Sequence, residues 1–256
     1  MSFTLRLLST DFDGTVFAEF EQPPVPVVLE RLIARMQSEG VTWVVNTGRD
    51  MSALMECLGR AHLSVRPDYL VLVEREIYRH EGARYVGIEE WNEPCRRDHE
   101  ELFARVRGDI PELIGWVNQR YEATIYEDAF SPLCLIAATN EDADAILAHL
   151  DEYCRTVPDL TMVRNDVYAR LSHGAYSKGT ALGEIQRRLG IGPESTLAAG
   201  DHFNDLPMLS RDYAHQLLAP ANAIDRVKAT VRAQGGYISR TRCGEGVHEG
   251  LLRLTR

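Results

Sequence analysis

Two carboxylates one residue apart, Asp11 and Asp13, close an apolar run from Leu5 to Leu8 and are followed at once by Gly14 and Thr15. Neighbouring carboxylates repel each other, and desolvation makes both costly. A hard cation offsets that cost and prefers oxygen ligands. Three other stretches put small polar or charged residues at an expected strand end or helix start. They are Thr47-Gly48 after VTWVV, Lys178 in Ser177-Lys178-Gly179, and Asp201, Asn204 and Asp205 after STLAAG. Each has a plainer reading by itself: an Asx turn for Asp11 and Asp13, a helix cap for Thr47, a solvated helix lysine for Lys178, and turn and cap residues for Asp201 and Asp205. Four such stretches in one chain are harder to ascribe to independent turns.

Together they suit phosphoryl transfer. Asp11 would attack phosphorus and form an aspartyl-phosphate. Asp13 would protonate the leaving oxygen and then activate water. Mg²⁺ would lie between Asp11, the carbonyl of Asp13, Asp201 and waters, with Asp205 holding a metal-bound water or orienting Lys178. Thr47, through its hydroxyl and backbone N–H, would hold a phosphoryl oxygen with Gly48 and Lys178, and Asn204 would take a secondary positioning part.

The elements that must position these groups follow from periodicity. Leu5, Leu7 and Leu8 suit a buried strand, and Val41–Val45 and Tyr69–Val73 suit two more. Apolar positions predict helices over 27–39 and 50–58 between them, the first closed by Gly40. Alternating strands and helices imply a parallel sheet with helices on its faces and right-handed crossovers. In such a sheet, ligands bind beyond the carboxyl ends of the strands. Charge becomes dense near Arg75, helical spacing returns over 98–115, and paired strand patterns flank a helix at 140–153. Ser177–Leu189 reads as a helix, Ser195–Ala199 and 214–218 as strands, 223–232 as a helix, and the chain ends in a helix from about Val247. The expected architecture is α/β: a Rossmann-like parallel-sheet core, residues 1–79 and 172–256, with an inserted α+β cap over 80–171.

A net charge of −10, from 28 basic and 38 acidic residues, argues against a general nucleic-acid binder. No apolar run is long enough for a membrane span, and the amino end lacks a signal-peptide pattern. Five dispersed cysteines without a CxxC pair suit reduced thiols in a cytoplasmic protein, monomeric or homodimeric.

The motifs DFDGT at 11–15, VVNTG at 44–48, SKG at 177–179 and GDHFNDLPML at 200–209 resemble, in order and spacing, those of the haloacid dehalogenase superfamily of phosphohydrolases. The Asp11/Asp13 pair is similar to its phosphatase branch. The long insert and the GDxxND form resemble the large-capped subgroup of Cof-type hydrolases and of sucrose-phosphate and mannosylglycerate-phosphate phosphatases. The resemblance implies a Mg²⁺-dependent hydrolase of a small phosphorylated metabolite, a sugar or polyol phosphate first and a flavin or nucleotide phosphate second. It carries the roles above to Asp11, Asp13, Thr47, Lys178, Asp201 and Asp205. A phosphomutase with the same phosphoenzyme and a non-catalytic metabolite-binding protein are the alternatives. One departure is that Val73 is followed by Glu74-Arg75-Glu76 where Cof-like members often have Asn-Gly-Ala. Arg75 is expected in a surface salt bridge or against substrate. Glu127, Arg164, Asn165, His173 and Tyr176 are candidates for substrate choice, and His202 for the leaving group. Trp91, Trp116 and Tyr126 are expected in the cap core.

Overall fold

The computed structural model describes residues 3–255. Its organising strand is β1, Leu7–Thr10, every residue of which is buried. β1 pairs in parallel on one side with β2, Thr42–Asn46, and on the other with β10, Thr196–Ala199. Beyond β2 lies β3, Tyr69–Leu72; beyond β10 lie β11, Gln216–Ala219, and β12, Tyr237–Ile238. The chain thus builds outward from β1 in one direction and returns to build in the other. The strand order reverses at β1 and β10, and the crevice outside that reversal is where an open α/β sheet leaves room for a ligand.

The helices bury one stripe each. α1, Val27–Ser38, turns Leu29, Leu32, Ile33 and Met36 inward, a spacing of three and four residues that keeps them on one face. α2, Met51–Ala61, buries Leu54 and Cys57. α6, Lys178–Leu189, α7, Asp225–Ala233, and α8, Cys243–Leu254, complete the core. α8 starts four residues before the expected Val247. Its buried Gly244 and Gly250 let the backbone approach Pro26 and Leu218, so the helix packs closely against the core.

Two antiparallel strands extend the sheet: β4, Glu76–Glu81, pairs with β3, and β5, Arg84–Gly87, pairs with β4. The β3–β4 turn places Val73 at φ 44° and Glu74 at φ 68°, with the Arg75 N–H donating to the Leu72 carbonyl at 2.9 Å. Two successive left-handed residues make a turn that favours Asn-Gly, so Val-Glu here holds a strained backbone. One compact unit comprises the chain up to Glu89 and from Ser177 onward; Glu90–Tyr176 forms the other. The break on the first side falls ten residues later than the 79/80 border expected from composition. The charges there mark an edge hairpin of the core sheet, and edge strands carry charge that discourages further pairing.

The inserted unit has its own core. The chain enters it through α3, Glu89–Val106, and α4, Ile110–Asn118, follows, so the helical spacing over 98–115 belongs to two helices. Strands β6, Ala123–Tyr126, β7, Cys134–Ala137, β8, Leu160–Asn165, and β9, Tyr168–His173, form an antiparallel sheet in the order β6-β7-β9-β8. α5, Asn140–Cys154, is capped by Thr139, whose hydroxyl accepts from the Asp142 N–H. Leu102, Leu113, Leu135, Ile146 and Leu171 meet in the buried centre of this unit. The whole is the α/β core with an inserted α+β cap that the sequence pattern predicts. No helix among the described residues is long and apolar enough to cross a membrane.

Candidate active site

Asp11 is the first residue past β1. Its N–H donates to the Ala199 carbonyl at 2.8 Å, which extends the pairing with β10 by one step and fixes where the side chain begins. The chain then curls tightly, with Val16 and Phe17 N–H groups donating to the Phe12 carbonyl and the Phe12 and Phe17 rings stacked 4.8 Å apart. Gly14 sits at φ 72°, and a side chain there would collide with the Asp201 carboxylate. Only glycine meets both demands.

Lys178 opens α6. Ser177 caps the helix, accepting from the Thr180 N–H at 3.3 Å while its own N–H donates to the Thr180 hydroxyl at 2.8 Å. A cation in the first turn opposes the helix dipole, so local helix energetics do not explain the lysine. Its surroundings do. The side chain is fully buried, and Nζ donates to Asp11 Oδ1 at 2.6 Å and Asp205 Oδ1 at 2.7 Å.

Asp205 ends a short 3-10 turn, Phe203–Asp205. Its second oxygen accepts the N–H groups of Asp201 at 2.8 Å and His202 at 2.9 Å. Both oxygens thus take protein donors, the arrangement of a residue that orients Lys178 and shapes the loop. Asp201 accepts from the Thr15 hydroxyl at 2.8 Å through Oδ1 and from the Asn222 amide at 3.2 Å through Oδ2.

One oxygen from each of Asp11, Asp201 and Asp205 lies within 4.8 Å of the others, and all three residues are buried. Burial pushes the Asp11 carboxyl well above its ordinary range; repulsion from Asp205 and Asp201 adds to this, and Lys178 only partly reverses it. Asp201 is raised to about 7, by burial first and then by Asp205, with the Thr15 hydrogen bond opposing. Burial alone would lower the Lys178 pKa, but Asp11, Asp205 and Glu74 overcome it and keep the amine charged. Three carboxylates facing one ammonium leave two uncompensated negative charges when all are ionised. A hard dication with oxygen preference fits that surplus and that donor set.

Asp13, two residues past Asp11, is not part of that trio. Arg49 grips both of its oxygens, through Nε and Nη2, each at 2.7 Å. Arg49 also lies 3.6 Å from Glu19, which pairs with Arg60 at 2.7 Å. Thr47 is buried, but its N–H already donates to the Val71 carbonyl at 2.9 Å. Only its hydroxyl remains for a ligand, so the expected backbone contribution from Thr47 does not hold. It is not the helix cap either; Asp50 caps α2 by accepting from the Ala53 N–H at 2.8 Å. Gly48 lies against Glu74, whose Oε1 accepts from the Asn204 amide at 2.8 Å. Arg75 is buried, at 5% exposure, and so does not sit on the surface. His202 is half-buried, and its N–H serves Asp205.

The cap candidates are engaged within their own unit. Glu127 faces Arg107 at 3.7 Å, Arg164 pairs with Asp144 and Asn140, and the Tyr176 hydroxyl donates to Asp98 at 2.6 Å. The His173 N–H donates to His99 Nε2 at 3.1 Å, and Asn165 ends β8 opposite Tyr168. Trp116 stacks on His149 at 3.7 Å, Trp91 meets Tyr176 edge-on, and Tyr126 is exposed, not core. Sequence reasoning missed Thr15, Asn46, Arg49, Glu74 and Asn222. Asn46, at the end of β2, donates to the Lys178 carbonyl at 2.9 Å. Thr15 and Asn46 lie within motifs already singled out and Arg49 adjoins one; Asn222 had no such marker.

A family model described as haloacid dehalogenase-like hydrolase matches residues 115–249, just over half of the chain. The chain belongs to the haloacid dehalogenase-like hydrolases. YxeH of Bacillus subtilis (strain 168) is 22% identical, covering 96% of this chain and 98% of that protein. The structure of the sucrose-phosphatase from Synechocystis sp. PCC6803, solved with sucrose and phosphate, aligns at a TM-score of 0.72 and 18% identity over 98% of each chain. TM0651 from Thermotoga maritima aligns at 0.61 and 20% identity over 99% of this chain and 98% of that one. Family membership and the buried aspartate cluster make this haloacid dehalogenase-like protein a phosphohydrolase.

Proposed function

We propose that the protein hydrolyses a small phosphomonoester, a sugar or polyol phosphate, with Mg²⁺, through an aspartyl-phosphate on Asp11. The observation that carries this reading is the buried Lys178 ammonium bridging Asp11 and Asp205, with Asp201 beside them. An isolated carboxylate is a poor nucleophile when crowded by like charge and easily protonated. The fixed ammonium holds Asp11 in one orientation and attracts the phosphoryl dianion. Asp11 attacks phosphorus, the bond to the leaving oxygen breaks, and Asp13 delivers a proton to that oxygen. Asp13 then takes a proton from water as the water attacks phosphorus and frees Asp11. For either step Arg49 must share or release the Asp13 carboxylate.

Asp11, the Asp13 carbonyl and Asp201 would hold Mg²⁺, with Asp205 behind them. When bound, the ion neutralises phosphate oxygens and the surplus carboxylate charge. The Thr47 hydroxyl, Gly48, Lys178 and Asn204 form the phosphoryl-binding set, with Asn204 oriented by Glu74. The sugar class is supported by the shared fold of the sucrose-phosphatase. Five free cysteines suit a reducing, cytoplasmic setting.

The test is phosphate release from a panel of sugar, polyol, flavin and nucleotide monophosphates, with Mg²⁺ and with EDTA. Turnover led by a sugar or polyol phosphate, abolished by EDTA and restored by Mg²⁺, is expected. Full activity in metal-free protein, or in D11N, would overturn the reading.

A further inference from the structure

Asn222 stands outside every motif that carries the chemistry. It lies in the turn after β11, in Pro220-Ala221-Asn222-Ala223. The turn is tied down at both ends: the Ala221 N–H donates to the Thr241 carbonyl at 2.9 Å, and the Ile224 N–H donates to the Asp201 carbonyl at 3.0 Å. This leaves the Asn222 side chain directed at three separate segments. Its amide donates to the Gly14 carbonyl at 2.8 Å and to Asp201 Oδ2 at 3.2 Å, while Oδ1 accepts from the Cys243 N–H at 2.7 Å.

We infer that Asn222 is a positioning residue that aims Asp201 at the cation. Thr15 holds one oxygen of the Asp201 carboxylate and Asn222 the other. Two donors from loops 207 residues apart in sequence clamp the group in one rotamer; the separation is the difference between Asn222 and Thr15. The same amide holds Gly14, whose lack of a side chain is what admits Asp201. A carboxylate held from both sides keeps a lone pair of each oxygen for the cation without searching rotamers after each turnover. Cys243 opens α8, so the Asn222 carbonyl also secures this turn to the core. Asn222 touches neither the nucleophile nor the ammonium in this arrangement, so it positions and does not react. The inference rests on the magnesium-dependent reading above.

Two variants separate aiming from anchoring. N222A removes every side-chain bond. N222D keeps an acceptor for Cys243 but replaces the donor facing Gly14 and Asp201 with an oxygen. Mg²⁺ binding is measured by calorimetry on purified protein without substrate, alongside the melting temperature in EDTA and the rise caused by Mg²⁺. In N222A the dissociation constant for Mg²⁺ should rise about tenfold, the effect of losing one hydrogen bond to a charged group. The rise in melting temperature on adding Mg²⁺ should shrink, and at saturating Mg²⁺ turnover should largely recover. In EDTA N222D should melt below N222A, because its carboxylate faces the Asp201 carboxylate and the Gly14 carbonyl with no cation to screen them. A folded N222A with wild-type Mg²⁺ affinity overturns the inference while leaving the phosphatase reading standing. Wild-type protein that binds no Mg²⁺ and releases no phosphate overturns that reading first, and this one with it.

Discussion

Charge is used differently in the two compact units. In the core, Asp11, Lys178 and Asp205 are buried, and the Asp11–Lys178 pair joins positions 167 residues apart. In the inserted unit, Arg107–Glu127 joins side chains that remain largely in water. Exposed pairs contribute about 0–1 kcal/mol, because solvent screens them and ordering long side chains opposes them. A buried pair is costly to assemble, and breaking it strands a charge at a cost of about 3–5 kcal/mol. A protein keeps so expensive a cluster where its field does chemistry, and the surface pairs of the insert bear no such burden.

The sharpest way to break this contrast is D11N. It should lower phosphate release by at least about 10³-fold, since the proposed nucleophile is lost. The same change should raise the melting temperature of the metal-free protein. The sign follows from the raised folded pKa of Asp11. Below about 4 both folded and unfolded carboxyls are protonated and the cost is absent; as pH rises, ionising the buried group destabilises the fold. The advantage of D11N over wild type should therefore grow from pH 4 upward, measured by thermal melts in EDTA. A D11N protein less stable than wild type at pH 8 would show that the cluster is not under electrostatic strain.

K178M should cost about 3–5 kcal/mol in denaturant unfolding and abolish turnover. D13N should slow hydrolysis strongly and let phosphoenzyme accumulate, read by quench and intact mass, because water loses its base. By contrast, R107A in the insert should change stability by no more than about 0.5 kcal/mol, in keeping with an exposed pair. A larger loss would mean that charge in the two units is not so different. The smallest effect lies at the carboxyl end of the core. Hydrogen bonds from Tyr237, Arg240 and Thr241 outweigh burial and hold Glu249 down at about 2. Its contribution is present above the ordinary glutamate range and is lost as pH falls from about 4.5 toward 2, so E249Q should flatten the acid limb of the melting curve there.

Much of the candidate site was legible because its side chains sit where strands end and helices begin, and those places leave local marks. Asp11 after an apolar run, Lys178 behind a capping serine and Asp201 after STLAAG could each be found by spacing alone. Arg75 and the hairpin after it could not. Their charge reads as solvent exposure, whereas Arg75 is buried and Arg84–Gly87 forms an edge strand.

The linear chain alone determined the kind of chemistry, through residue types at strand ends, and the alternation that dictates a parallel sheet. Tertiary structure alone decided which groups share a charge balance. The strand reversal between β1 and β10 brings Asp11 beside Asp201, and the return of α6 buries one amine among three acids. It also decided that Arg49 holds Asp13 and that Asn222 reaches Gly14 and Asp201. Hydrogen bonds and Coulomb forces act over a few ångströms of space, and separation along the chain says nothing about that distance until the backbone has closed.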